Sequence, residues 1–392
     1  MRMIKPERET QPKLSNALVA EPLGDIVNLY AGKMMPNLQA STFRNSHKIF
    51  PTRKIPMGKK KILKESLQPA EALEFQLNSS QNDIFDYISK NRVAGLLVYS
   101  QGKVVCEHYE SGNTADSLWV SMSMAKSVAT TLVGVAIKDG FIKNVDEQLV
   151  EYLPELKGSA YDGVSIRHLM QMTSGVAWND QHTDPNSDRR IMLDYQVEQK
   201  PGLIMDYICK TKRQHEPGTH FNYSFADTFV VGALLKAATG EWLSDYLSRR
   251  IWIPMGMEKE GMWWLDSVDG LEVAGCGICA TLRDFSRLGI YMLQDGKING
   301  EPTLPENWIA ESTSPRTVGG ETLNYGYMWW PVPDESGSFK EKAFSARGIF
   351  GQYIYINPTR QLIISVASAR SKPMHSEAIL DNDFFNALKN NF

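Results

Sequence analysis

A serine stands three residues ahead of a lysine at the point where a polar stretch gives way to an apolar one. Ser123-Met124-Ala125-Lys126 follows Asp116-Ser117 and opens a long apolar-periodic run. If that run is helical, the Ser123 and Lys126 side chains lie on one face, a single turn apart. A serine hydroxyl is a poor nucleophile until it loses its proton. An adjacent amine can take the proton, provided burial draws its pKa toward neutrality. The helix N-terminus adds a field that favours an anion there. Met122, Met124, Ala125 and Val128 flank the lysine with apolar side chains, which argues against a solvated amine. The plainer alternative is a capping serine followed by a surface lysine, with Ser121 competing for the cap. Only Ser123 has a lysine at plus three.

Two further stretches could serve the same chemistry. In Glu216-Pro217-Gly218-Thr219-His220-Phe221-Asn222-Tyr223-Ser224 a Pro-Gly turn precedes a tyrosine at the mouth of a helix over 226–239, closed by Gly240. A phenol there can face a cleft and shuttle a proton beside a lysine. Its alternative is a half-buried tyrosine bonded to backbone. In Phe344-Ser345-Ala346-Arg347-Gly348-Ile349-Phe350-Gly351-Gln352, glycines flank a strand start. Glycines permit a ligand to approach the backbone, and a backbone N–H there can hold an oxyanion. The alternative is a simple bulge.

Composition narrows the field. The chain has 392 residues, 42% apolar and 22% charged, as in an ordinary soluble globular protein. Lys plus Arg is 42 against 45 Asp plus Glu, a net charge of -3, which argues against nucleic acid as a main partner. The charged start, residues 1–9, has no apolar segment behind it, so no signal peptide and a cytoplasmic location are expected. The most apolar strand-like run, residues 93–99, is far shorter than the ~20 residues of a membrane span. Cys276-Gly277-Ile278-Cys279 has redox or zinc spacing, but no second pair or nearby histidines accompany it. Small buried residues on a strand are the favoured reading.

The elements that must position these residues read as follows. Residues 1–82 form a proline-rich extension with weak periodicity, expected to wrap over the body as irregular chain with one short helix at most. Residues 94–99 and 103–109 read as a hairpin across Gln101-Gly102. The helix from 123 to 138 stops at Asp139-Gly140. Strands return at 351–357 and 361–367, and a helix over 381–389 closes the chain. Strands at both ends and helices between predict an α/β (α+β) body over 83–392. Its antiparallel sheet is built from the two chain ends and flanked by helices, with a helical insertion at about 140–270. A cleft between such parts suits a small-molecule site.

Together these stretches resemble the serine β-lactamase and penicillin-binding-protein superfamily, in particular its class C-like esterases and amidases. The S-x-x-K at Ser123, the segment Val164-Ser165-Ile166-Arg167-His168-Leu169-Met170-Gln171-Met172-Thr173-Ser174-Gly175, and Phe221-Asn222-Tyr223-Ser224 match its motifs. So do Pro254-Met255-Gly256-Met257 and Gly348-Ile349-Phe350-Gly351-Gln352. The resemblance covers about residues 85 to 385. Ser159-Ala160-Tyr161-Asp162-Gly163, the Met170-Gln171-Met172 run and the long extension are most similar to the 6-aminohexanoate-dimer hydrolases; the family VIII carboxylesterases are a further resemblance.

The resemblance implies a β-lactamase-like fold and hydrolysis through an acyl-enzyme. Ser123 is then the nucleophile. Lys126 and Tyr223 share the base and acid work, and the N–H groups of Ser123 and Ile349 hold the oxyanion. It implies no metal or organic cofactor, a small ester or amide as substrate, and is compatible with a homodimer. In the nylon-oligomer branch, the segment matching the polar loop 178–194 closes over substrate. Trp178 would then pack on an apolar acyl chain and His182 would face the leaving group. Phe225 stands where the lactamases carry an Asn that bonds substrate amide and lysine, with Asp227 as its candidate replacement. Ala346-Arg347-Gly348 stands in place of the K-T-G, leaving Arg347 to grip a carboxylate. Gly275 aligns with an Asn of the amidase branch and lacks its side chain. These departures favour an esterase or amidase. A β-lactamase or D-alanyl peptidase, or a catalytically silent ligand-binding relative, is the alternative.

Overall fold

The computed structural model describes residues 21–69, 73–77 and 79–392. The charged start and Pro6 and Pro12 lie outside the described residues. The extension is more regular than its weak periodicity suggests. Asp25 caps helix α1 (Ile26–Tyr30), accepting from the Asn28 N–H at 2.8 Å. Pro36 opens helix α2 (Pro36–Arg44) at a position that needs no N–H donor. Strand β1 (Thr52–Ile55) then pairs antiparallel with a strand more than 200 residues away, Thr52 opposite Trp264. The expectation of irregular chain failed because the buried face of α2 is largely polar. Gln39, Ser41 and Thr42 are buried, and their side chains bond to carbonyls: Gln39 Nε2 to Arg370 O at 2.6 Å, Ser41 Oγ to Pro22 O at 2.7 Å. Hydropathy cannot register such a face.

Helix α3 (Ile84–Lys90) leads into strands β2 (Val93–Ser100) and β3 (Lys103–Tyr109). Gln101 and Gly102 both have positive φ, 48° and 86°, which gives the two-residue turn the twist that a hairpin requires. After the short strand β4 (Trp119–Val120) comes the central helix α4 (Met124–Lys138), buried from Met124 to Ala136. Helices α5 (Asp188–Glu198) and α6 (Phe225–Thr239) follow within the helical middle. Then come strands β5 (Gly261–Trp264) and β6 (Ile278–Ala280) and helix α7 (Leu282–Leu293). The chain ends with strands β7 (Trp330–Pro331), β8 (Phe344–Gly348), β9 (Gln352–Asn357) and β10 (Leu362–Ser368), and helix α8 (Asp381–Leu388).

The main sheet runs β7-β8-β9-β10-β2-β3, antiparallel throughout, so the two chain ends do join, with Ile364 opposite Val98. Alternation along the strands serves two cores. Leu97, Ile354 and Ile363 face the large core with α4 and α7, while Leu96, Val98, Tyr355 and Ile364 face a smaller one with α3 and α8. Tyr87 of α3 stacks on Phe384 of α8, ring centres 3.6 Å apart. A second sheet, β1-β5-β6-β4, stands at the start of α4 and sets its entry. Among the described residues no helix is long and apolar enough to cross a membrane.

The smaller core is fastened by a buried ion pair. Arg370 and Asp381 are in direct contact, and the Tyr87 hydroxyl donates to Asp381 at 2.6 Å. Removing Asp381 leaves the buried Arg370 with only the more distant Glu377, 3.5 Å away, as a counter-charge. Asp381→Ala should lower unfolding free energy by about 3 kcal/mol or more, read as a lower urea midpoint. Asp381→Asn, which keeps an acceptor for Tyr87, should lose less.

Candidate active site

Strand β4 delivers the chain to the site, and Ser121 anchors it. Its N–H donates to Ile278 O at 2.7 Å, and its hydroxyl accepts from Ile278 N–H at 3.1 Å and donates to Met122 O at 3.0 Å. Ser121 is thus buried and committed to β6. Met122 takes a positive φ of 44°, a conformation L residues rarely adopt. That bend puts Ser123 at the N-cap of α4, where its hydroxyl makes no capping bond.

One turn on, the Lys126 Nζ lies 3.2 Å from Ser123 Oγ and donates to Gly275 O at 2.9 Å. Lys126 is only 2% exposed, so it is not a surface lysine. Burial draws its amine down to about 8, against a partial pull upward from the Asp180 carboxylate. Tyr223, one residue before the cap of α6, presents its phenol to the same serine. Burial pushes that phenol well up and the Asp180 charge adds to this, while hydrogen bonding with Ser123 partly offsets both. Near neutral pH the pair is a phenol and a lysine close to releasing its proton. Among the described residues, no hydrogen bond takes up the N–H of Ser123 or of Ile349.

Ser123 opens into a cavity of about 950 Å³, also lined by Trp178, Asp180, His182, Tyr223, Trp330, Arg347 and Ile349. Three expected substrate contacts are not in its wall. Asp227 is fully buried one turn inside α6, accepting from Tyr161 Oη at 2.8 Å and Ser174 Oγ at 2.9 Å. It cannot replace the missing Asn, because its helical position points it at the 161–174 segment. Burial pushes its carboxyl up to about 7. The Phe225 ring packs beneath Lys126, 4.6 Å from Nζ to ring centre, rather than facing substrate. Gly275 contributes its carbonyl to the amine, and a Cβ there would lie 2.5 Å from Thr228 Oγ1 and 2.7 Å from Phe225 Cε2. Phe225 and a side chain at 275 exclude one another.

The loop expected over 178–194 is shorter. Ser187 caps α5, its Oγ accepting from Arg190 N–H at 3.2 Å, and residues from 188 are helical. Trp178 is 8% exposed, its indole N–H donating to Asp180 Oδ1 at 2.8 Å. His182 has Nε2 3.7 Å from Asp180 Oδ2 and is held neutral by burial and the neighbouring cations. Arg347 donates to Ser345 Oγ at 2.9 Å and Asn382 Oδ1 at 3.2 Å and has no carboxylate within ion-pair distance among the described residues. Asp180, Arg189 and Tyr30 escaped the sequence reading. One signal existed: Arg189 and Arg190 sit in the first turn of α5, where the helix dipole disfavours cations. Cys276 and Cys279 are buried thiols, Cys279 Sγ lying 3.2 Å from Ser46 Oγ. Among the described residues no cluster of His, Cys, Asp and Glu is placed to hold a metal.

The family model for β-lactamase matches residues 82–384. The chain belongs to the β-lactamase family. A 6-aminohexanoate-dimer hydrolase of Paenarthrobacter ureafaciens is 27% identical over 302 residues, 73% of this chain and 75% of the relative. A Bacillus anthracis structure named provisionally as a 6-aminohexanoate-dimer hydrolase superposes with a TM-score of 0.77 at 21% identity, covering 90% of this chain and 92% of that one. A class C β-lactamase superposes at 0.54 with 19% identity, over 78% and 92%. The protein is a serine hydrolase of the β-lactamase and penicillin-binding-protein superfamily, with the antiparallel sheet and flanking helices of that fold.

The buried lysine has a stability signature. Its ordinary value is 10.5 and its folded value about 8, so between these the unfolded chain binds more protons. Stability therefore rises with pH across that window and is lowest below it. Lys126→Met should be more stable than the wild type at pH 7, by roughly 2 kcal/mol. The gain should shrink as thermal melts are repeated toward pH 10.

Proposed function

We propose that the protein hydrolyses a small ester or linear amide through an acyl-enzyme on Ser123. The observation that supports this most is the 3.2 Å approach of a buried amine, drawn down to about 8, to a hydroxyl that caps nothing. Lys126 takes the Ser123 proton as Oγ attacks the carbonyl. The developing oxyanion is held by the N–H groups of Ser123 and Ile349. Tyr223, still a phenol, gives its proton to the leaving oxygen or nitrogen and recovers one from Lys126. Water then attacks the acyl-Ser123 ester. Its proton returns through the same pair, and the acid departs as Ser123 regains its hydrogen.

Arg347, a cation in the cavity wall with no carboxylate partner among the described residues, is assigned to any carboxylate the substrate carries. Trp178 is assigned to the acyl chain and His182 to the leaving-group side. The Paenarthrobacter relative is named for an amide dimer. Here Phe225 and Gly275 supply no side-chain hydrogen bond to an amide, which weights the reading toward esters.

A fluorophosphonate probe should label Ser123, and p-nitrophenyl esters, linear amide dimers and nitrocefin should sort the substrate class. Ser123→Ala should abolish labelling and lower turnover by roughly 10³ or more. Lys126→Arg should be nearly dead, since guanidinium keeps its proton. Wild-type kcat/KM should rise with pH through about 8, as the amine becomes neutral. An unlabelled but folded wild type would instead indicate a ligand-binding relative.

Trp178→Ala should raise KM more for long-chain than for short-chain esters, because the lost apolar contact grows with chain length. Equal effects on both would make Trp178 a purely structural residue.

A further inference from the structure

Behind the catalytic lysine lies a second cation that the reaction scheme does not use. Arg189 of α5 is 1% exposed, and among the described residues no carboxylate is within ion-pair distance of it. Its Nη2 donates to the Tyr30 hydroxyl at 2.8 Å, its Nε has no partner among the described residues, and its guanidinium lies 4.7 Å from the Tyr30 ring centre. It also lies 4.0 Å from the centre of the Phe225 ring, the same ring that carries Lys126 Nζ at 4.6 Å. One aromatic ring thus touches two cationic side chains, one permanently charged and one that must become neutral. Burying an arginine with so few partners is unfavourable unless the charge has a use.

The groups around Lys126 come from five parts of the chain. Ser123 is on its own helix, Tyr223 and Phe225 stand at the start of α6, and Asp180 and His182 lie on the loop before α5. Arg189 is on α5 and Cys276 precedes β6. Tyr223, His182 and Cys276 are all held in their neutral forms by burial. The charged groups near the amine are therefore Arg189 and Asp180, whose own carboxyl burial pushes up while Lys126, the Trp178 indole and Arg189 draw it back down. Asp180 Oδ1 is pinned by the Trp178 indole and by Phe225 N–H at 3.1 Å, so its carboxylate cannot swing away. Alone, it would hold a proton on Lys126.

We propose that Arg189, clamped by Tyr30 of the N-terminal extension against Phe225, is a positioning residue. It serves as the permanent counter-charge to Asp180 and so leaves Lys126 free to act as a neutral base. Where family members carry an Asn beside the lysine, this chain has Phe225; burial draws the amine down, and the Asp180–Arg189 charge balance adjusts it from there. The inference rests on the acyl-enzyme reading for its kinetic consequence, but not for its electrostatics.

The test is the pH dependence of kcat/KM on a p-nitrophenyl ester, with the Lys126 ε-carbon followed by NMR in ¹³C-lysine-labelled enzyme and assigned against Lys126→Met. Two charges that share one ring are at most about 9 Å apart, close enough for a coupling of about one pH unit. Arg189→Met should move the acid limb and the NMR titration up by about that much. Arg189→Lys should keep the wild-type values even if turnover falls. Asp180→Asn should move both down, and the Arg189→Met/Asp180→Asn double variant should return them near the wild type. Should Arg189→Met not fold, Asp180→Asn alone decides: an unmoved titration overturns the proposal. So does a folded Arg189→Met that loses turnover without any shift, the outcome of a merely structural role. If no ester is turned over, the function proposed above fails, while the NMR titration still reads the charge coupling.

Discussion

A lysine amine has been taken out of water and set against a serine hydroxyl, and the rest of the structure answers to that constraint. A buried ammonium is unfavourable, so the amine drifts toward its neutral form, with Gly275 O and Ser123 Oγ as its hydrogen-bonding partners. To achieve this, α4 must be buried almost all round, and it is, from Met124 to Ala136. A helix of that kind needs cover on every side. The main sheet and α7 supply it from the two chain ends, α6 from the helical middle, and the small sheet at its N-terminus.

The polar groups buried with the lysine are arranged by sign. Arg189 and the Asp180 carboxylate are the charged groups near it, the latter kept ionised against its burial by Lys126, the Trp178 indole and Arg189, while Tyr223, His182 and Cys276 are kept neutral by desolvation. Farther inside, Asp227 accepts from Tyr161 and Ser174 at Oδ1, while its Oδ2 has no partner among the described residues, and it takes no part in the cavity. These bonds tie α6 to the 161–174 segment. The N-terminal extension is part of the same arrangement: Tyr30 reaches the back of the site, and β1 edges the sheet that enters α4.

By itself the sequence determined the two strand hairpins, the central helix and its stop, the final helix, and the S-x-x-K and tyrosine stretches. These signals are local: alternation, helical spacing, a Gln101-Gly102 turn, a Gly240 cap. It also carried enough motif order to place the chain in its family. It did not determine the helices and strand of the extension, because the buried face of α2 is polar and its partners, such as Arg370 O, lie over 300 residues away. Nor did it assign Asp227, Phe225 and Gly275 correctly, since spacing along a helix does not say which face meets a cavity. Only the tertiary structure decided that Ser121 is spent on β6 while Ser123 is not, because that choice rests on a strand pairing 157 residues distant. The same holds for Arg189 and Tyr30. Their weight comes from sharing a buried volume with Lys126, and Coulomb interaction there depends on distance in space and on excluded water, neither of which is written in sequence order.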